Sequence, residues 1–221
     1  MKTIEGLYLI TDHNRDGRLK ARVKAALKGG ARIVQYRDKT RPAMEQVADA
    51  SELRELCRKF GALFLINDDA ELAQACDADG VHLGQEDGTI ADARKRLGHG
   101  RIIGISTRTA EQAIKAEMQG ADYVAIGSIF PTASKQDAVV VGLESLAKVR
   151  RAVTIPVVAI GGIDADGADA ALNAGANAVA VISAIMEDGS PEIAAREIAL
   201  LFNRRKPYPR GRVLTVAGSD S

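Results

Sequence analysis

Four short stretches of this chain carry side chains suited to a strongly negative ligand. Gln35-Tyr36-Arg37-Asp38-Lys39 sets two cations one residue apart, while Asn67-Asp68-Asp69 and Gln85-Glu86-Asp87 supply carboxylates. Thr132-Ala133-Ser134-Lys135 offers two hydroxyls and an ammonium in a row of four residues. Guanidinium and ammonium groups suit phosphate oxygens. Two carboxylates, Asp68 and Asp87, beside such cations meet the needs of Mg2+, which binds through one or two carboxylates plus water and phosphate oxygens. Gly161-Gly162 and Ile182-Ser183 bring a different chemistry, backbone N–H groups that can cradle a monophosphate. Plainer readings exist for each: surface salt bridges for the cations, a helix cap for Asp69, solvation for Glu86, a tight turn for the glycine pair. His82 alternates within a strand and reads as a core histidine; His13 and His99 read as exposed.

What these stretches share is their place along the chain. Each follows a short apolar run of the kind that makes a fully buried strand, and eight such runs occur, at 7–10, 33–37, 63–66, 81–83, 102–105, 123–126, 157–160 and 178–182. Between them lie helical patterns over 19–27, from Pro42 to Phe60, then 69–76, 89–97, 109–119, 143–152, 164–175 and 191–202. Pro42 and Pro191 suit first helical turns, and Thr109 and Asp164 suit caps. In the helix from Pro42, the core-facing set by spacing is Met44, Val47, Ala48, Leu53, Leu56, Cys57 and Phe60. Gly-Ala recurs at 30–31, 61–62, 120–121 and 175–176, always between a helix and the next strand. Glycine takes the left-handed conformation that ends a helix, and a small residue lets the chain turn inward.

Eight strand–helix alternations in one chain of 221 residues predict an α/β fold, the (β/α)8 barrel. A doubly wound open sheet would lead from its first strand into a GxGxxG turn; here that strand leads into Thr11-Asp12-His13-Asn14. In a barrel the strands' C-terminal ends share one mouth, so the polar stretches converge there, together with Ser106 at the end of the fifth strand.

Composition removes several classes of partner. With 30 Lys and Arg against 29 Asp and Glu, the net charge is +1, which gives no electrostatic case for nucleic acid or an anionic membrane. Four Tyr, four Phe and no Trp leave little surface for base stacking. No apolar run is long enough to span a bilayer. The N-terminus lacks a signal-peptide pattern. The two cysteines, Cys57 and Cys76, read as reduced core thiols of a cytoplasmic protein. Small-molecule substrates are therefore the expected partners, and a homo-oligomer is compatible with everything above.

In combination, Gln35–Lys39, Asn67-Asp68, the stretch from Gly80 to Asp87, the loop from Phe130 to Lys135, Ala159-Ile160-Gly161-Gly162-Ile163 and Val181-Ile182-Ser183 resemble thiamine phosphate synthase, over about residues 6–202. The family's fold is a (β/α)8 barrel. The resemblance implies a transferase that joins 4-amino-5-hydroxymethyl-2-methylpyrimidine diphosphate to 4-methyl-5-(2-hydroxyethyl)thiazole phosphate, giving thiamine phosphate and diphosphate. It implies that Gln35, Tyr36, Arg37, Asp38, Lys39 and Asn67 hold the pyrimidine diphosphate, that Ser106 touches the pyrimidine, and that Lys135 binds diphosphate. It makes Asp68 and Asp87 ligands of Mg2+. Thr132, Ala133, Ser134, Gly162, Ile182 and Ser183 receive the thiazole phosphate. Catalysis falls to Arg37, Lys39, Lys135 and Ser106. Two departures stand out: Ser128 where the family often has Pro, predicting a looser loop, and Ser134 where it has Thr, which keeps the hydroxyl. A thiazole tautomerase and a non-catalytic thiamine phosphate-binding protein are the alternative readings.

The end of the chain departs from the barrel pattern. Residues 203–212 are basic and hold two prolines, reading as a linker after a domain over 1–202. Residues 213–221 resemble the opening of a hydroxymethylpyrimidine (phosphate) kinase, so the chain is expected to be the first part of a two-enzyme fusion, or else to end in a disordered tail.

Overall fold

The computed structural model describes residues 3–12, 17–132 and 139–203. Its strands are β1 (Gly6–Ile10), β2 (Ile33–Tyr36), β3 (Leu63–Asn67), β4 (Gly80–Leu83), β5 (Ile102–Thr107), β6 (Tyr123–Ile126), β7 (Val157–Ile160) and β8 (Ala178–Val181). All are parallel and paired in sequence order, and β8 returns to β1 to close the ring. Helices α1 (Leu19–Gly29), α2 (Ala43–Lys59), α3 (Ala70–Ala75), α4 (Ile90–Leu97), α5 (Ala110–Met118), α6 (Gly142–Ala152) and α7 (Ala165–Asn173) follow the first seven strands. After β8 come a single turn, α8 (Ser183–Met186), and the closing helix α9 (Pro191–Asn203). The expected (β/α)8 barrel is the fold observed. The α8 turn went unforeseen because four residues are too few to show a helical period.

Two apolar shells hold the barrel together. Alternate residues of each strand point inward, among them Tyr8, Ile10, Ile33, Leu65, Tyr123, Ala125, Val158 and Ala180. Their neighbours, including Leu7, Leu9, Val34, Phe64, Ile103 and Val124, point outward onto the helices. Burial on both faces explains why the strands read as continuous apolar runs. Fully burying a side chain such as Phe64 or Ile103 contributes about 1.5–3 kcal/mol, enough to offset the about 1–2 kcal/mol that ordering each residue's backbone costs.

The helix boundaries follow local chemistry. Asp69 caps α3 by accepting from Glu71 N and Leu72 N, and Thr109 and Asp164 cap α5 and α7. Gly30, Gly61, Gly120 and Gly175 all have positive φ between a helix and a strand, as the Gly-Ala repeat predicts. In α2 the spacing misleads. Leu53, Leu56 and Cys57 are buried, but Met44 is 87% exposed and Val47, Ala48 and Phe60 also face outward. At about 100° per residue Met44 lies roughly 180° from Leu53, and Val47 and Ala48 roughly 120–140° from it, so their phase turns them away from the buried stripe of Ala50, Leu53, Leu56 and Cys57.

Candidate active site

The strands' C-terminal ends open into a cavity of about 660 Å³, a size suited to small molecules. Of the residues singled out in the sequence, Gln35, Arg37, Lys39, Asn67, Asp68, Asp87, Ser106, Thr132, Gly162, Ile182 and Ser183 line it. Tyr36 and Asp38 do not. Strand alternation turns Tyr36 outward, where it is 1% exposed in the shell beneath the helices. Asp38 instead shapes the β2–α2 loop, its Oδ1 accepting from Thr40 N, Thr40 Oγ1 and Arg41 N. Ala133, Ser134 and Lys135 lie outside the described residues, as do His13 and the segment after Asn203.

On the β2–β4 side the charges meet. Asp68 and Asp87 come within hydrogen-bonding reach of each other. Asp87 Oδ2 also accepts from Gly84 N at 2.9 Å, and Lys39 Nζ lies 3.7 Å from Asp68 Oδ2. Burial, then the neighbouring Asp87, push the Asp68 carboxyl up to about 6, with Lys39 and Asn67 pulling the other way. Asp68 also sits at φ 63°, in the left-handed region, which Asp tolerates better than most residues but which still carries strain. Two carboxylates held side by side by a strained backbone make an arrangement that a cation relieves. No cluster of three or more His, Cys, Asp or Glu suited to a metal occurs among the described residues. The pair therefore fits an ion that takes two protein ligands and completes its shell elsewhere, as Mg2+ does with phosphates and water.

The cations have carboxylate partners, as the plainer reading of surface salt bridges expects. Arg37 faces Asp12 at 3.9 Å and Lys39 faces Asp68. Both pairs are long and partly solvated, so they contribute little and a phosphate can displace them. Thr11 holds the Arg37 backbone from both sides: Arg37 N donates to its Oγ1 at 2.8 Å, and the hydroxyl donates back to Arg37 O at 3.1 Å.

The β6–β8 side is built from main chain. Gly161 and Gly162 have φ of 99° and 63°. A Cβ on Gly161 would strike Ser128, and one on Gly162 would strike the carbonyl of Pro131. Beside them α8 begins at Ser183, and the first amides of any helix lack intrahelical partners. Ser128 is 7% exposed and tied in, with Ser128 N donating to Val139 O and Val141 N donating to Ser128 O. Ile129 N and Phe130 N pair with Ile160 O and Gly161 O. The loop after β6 is thus braced without the proline.

Beneath both sides lies a polar floor that sequence reasoning missed in part. His82 is buried, as expected, yet it also lines the cavity. Its Nδ1 is 2.8 Å from Tyr123 Oη and its Nε2 2.9 Å from Ser106 Oγ. Burial pushes its pKa down to about 4. Tyr123 Oη is 2.9 Å from Tyr8 Oη, and Gln35 Nε2 donates to Tyr8 Oη at 2.6 Å. The Tyr123 ring crosses Gly104, where a Cβ would overlap it. Strand phase carried the signal: Tyr8 is in step with Ile10, and Ser106 with Gly104. His99 is exposed, as expected.

Closed barrel and charged mouth together define a (β/α)8 barrel with a cavity suited to anionic small molecules. The sequence profile of a family described as thiamine monophosphate synthase matches residues 7–185. The chain is 54% identical over 218 residues to the thiamine biosynthesis bifunctional protein ThiED of Geobacter sulfurreducens, which is 99% of this chain and 44% of that protein. It is 47% identical to a thiamine-phosphate synthase of Thioalkalivibrio sulfidiphilus, over 90% of this chain and 96% of that one. A solved thiamine phosphate pyrophosphorylase from Pyrococcus furiosus superposes with a TM-score of 0.82 at 43% identity, covering 90% of this chain and 96% of its own. The chain belongs to the thiamine monophosphate synthase family.

Proposed function

We propose that the chain couples 4-amino-5-hydroxymethyl-2-methylpyrimidine diphosphate to 4-methyl-5-(2-hydroxyethyl)thiazole phosphate. The observation that carries this reading is the meeting of Asp68, Asp87 and Lys39 in one cavity, across from the Gly161-Gly162 turn. A diphosphate suits the first group and a monophosphate the second. A tautomerase has no diphosphate for the first group to hold.

The bond between the exocyclic CH2 and the diphosphate oxygen breaks first, its electrons leaving with diphosphate. The aminopyrimidine ring donates into the cationic carbon, and the thiazole nitrogen then supplies the pair for the new C–N bond. No general base is needed, which suits a wall whose one buried histidine is neutral. Arg37 and Lys39 take up the charge on the departing diphosphate, and the resemblance adds Lys135 to them. Mg2+ held by Asp68 and Asp87 would supply further positive charge to the same oxygens. Gln35, Asn67 and Ser106 orient the pyrimidine; Thr132, Ser134, Gly162, Ile182 and Ser183 seat the thiazole phosphate, so alignment of the two rings supplies the rest.

Thiamine phosphate formation with and without Mg2+ tests this, comparing the parent chain with Asp68→Asn, Asp87→Asn and Lys135→Ala. Loss of Mg2+-dependent turnover is expected in each, and unchanged turnover in all three would overturn the assignment. The alignment with the bifunctional relative takes in nearly all of residues 204–221, which supports reading 213–221 as the start of a kinase segment. An in-frame kinase sequence following Ser221 in the DNA is the expected finding. Cys57 and Cys76 are buried and not joined in a disulfide, which supports a cytoplasmic setting. No helix among the described residues is long and apolar enough to cross a membrane.

A further inference from the structure

Five polar side chains form one continuous chain across the barrel interior: Gln35, Tyr8, Tyr123, His82 and Ser106. Both of its ends line the cavity, while Tyr8 and Tyr123 are 1% and 0% exposed. We propose that this chain runs in one direction only, from Gln35 to Ser106, and so fixes the Ser106 hydroxyl as a hydrogen-bond donor toward the ligand. Tyr8, Tyr123 and His82 are then positioning residues for the synthase reaction, in addition to the groups that touch substrate.

The direction follows from counting hydrogens. The Gln35 amide nitrogen has only hydrogens to give, so Tyr8 Oη accepts there. The Tyr8 hydroxyl hydrogen then goes to Tyr123 Oη, the other oxygen within reach at 2.9 Å. Tyr123, having accepted from Tyr8, donates to His82 Nδ1. That nitrogen is bare, so the imidazole proton sits on Nε2 and is donated to Ser106 Oγ. The Ser106 hydrogen remains, and the cavity is where it can point. The reverse direction sets the Tyr8 hydrogen against the hydrogens of Gln35. An imidazolium would donate from both nitrogens and strand the Tyr123 hydrogen in a fully buried position, which is costly.

The ligand group that matches is an acceptor lone pair on a planar ring, such as a ring nitrogen of the aminopyrimidine. That part rests on the synthase reading. A neutral His82 also keeps positive charge out of the wall beside a carbon that becomes cationic. Gly104 belongs to the same device, because only a residue without a Cβ lets the Tyr123 ring lie where its hydroxyl reaches both partners.

The chain holds three histidines, so carrying His13→Gln and His99→Gln leaves His82 as the sole imidazole. Its two nitrogens are then read by 15N NMR on the ligand-free protein at neutral pH. A protonated Nε2 with a bare Nδ1 is expected. A protonated Nδ1, or an imidazolium, would overturn the proposed direction whatever the protein catalyses. In the same background Tyr123→Phe removes the donor to Nδ1 and is expected to shift the ring toward a mixture of tautomers. With Ser106 no longer held, KM for the pyrimidine diphosphate rises about tenfold, as for one lost hydrogen bond, while KM for the thiazole phosphate is unchanged. Tyr8→Phe, which leaves the Tyr123–His82 bond in place, shows a smaller rise in the same constant. Equal changes in both constants, or none, would reject the positioning role. Absence of turnover in the parent chain would sink the synthase reading and leave the NMR result standing on its own.

Discussion

The two sides of the cavity solve the same problem with different materials. From β2 to β4 the tools are charged side chains, Arg37, Lys39, Asp68 and Asp87, with Arg37 facing Asp12 and Lys39 facing Asp68 at long range and the two carboxylates beside each other. From β7 to β8 they are a glycine turn and the start of α8, with no ionised side chain among Gly161, Gly162, Ile182 and Ser183. Under the proposed synthase reaction, the difference matches what each side would be asked to do. A leaving diphosphate gains charge during the reaction, so strong and mobile countercharges act where they stabilise the transition state. A phosphate that only anchors its substrate needs a fixed cradle, and backbone dipoles supply one without a side chain to order.

The largest effect expected from this contrast is on the charged side. Arg37→Ala or Lys39→Ala should cost on the order of 2.7–4 kcal/mol in the rate of the chemical step, with KM for the thiazole phosphate unaltered. Steady-state kinetics varying each substrate separately checks this, and a matching rise in both KM values would erase the distinction between the sides. The floor beneath them comes next. Because burial lowers the His82 pKa from 6.5 to about 4, the unfolded chain takes up that proton first. Stability due to this group is complete above about pH 6.5 and lost as pH falls toward 4, on the order of 3 kcal/mol in all. Urea unfolding at pH 7 and pH 4 should show a smaller difference for His82→Gln than for the parent.

On the backbone side, Gly162→Ala meets both a positive φ and the Pro131 carbonyl. A cost of about 1–3 kcal/mol is expected, read as a raised KM for the thiazole phosphate with the pyrimidine constant little changed. The smallest effect is a gain. With Asp68 raised to about 6, its ionisation opposes folding, so its contribution is favourable below about pH 3.8 and lost as pH rises through 6. Asp68→Asn should therefore stabilise the metal-free protein at pH 8 by about 1 kcal/mol after allowance for solvent, raising Tm by roughly 2–4 °C. Asn also tolerates the left-handed backbone at this position. Added Mg2+ should raise Tm of the parent and not of the variant.

Reading the sequence recovered the barrel because its signal is repeated: buried strands, capping Asp and Thr residues and glycine stops each recur along the chain. It recovered Asp68, Asp87, Arg37 and Lys39 because they sit where strands end. It misplaced Tyr36 because motif adjacency does not respect strand phase, which sends neighbouring side chains to opposite faces. It misjudged Met44 and Val47 because they lie out of helical phase with Leu53, Leu56 and Cys57, on the far side of the helix. The link between Tyr8 and Tyr123 spans 115 positions, and only closure of the ring brings such residues together.

That closure also settles where the described chain departs. Ala199 of α9 packs against Gly30, between the end of α1 and the start of β2, which is the pole of the molecule away from the mouth. Asn203 is one turn further on. The described chain therefore leaves the barrel at the end opposite the cavity mouth.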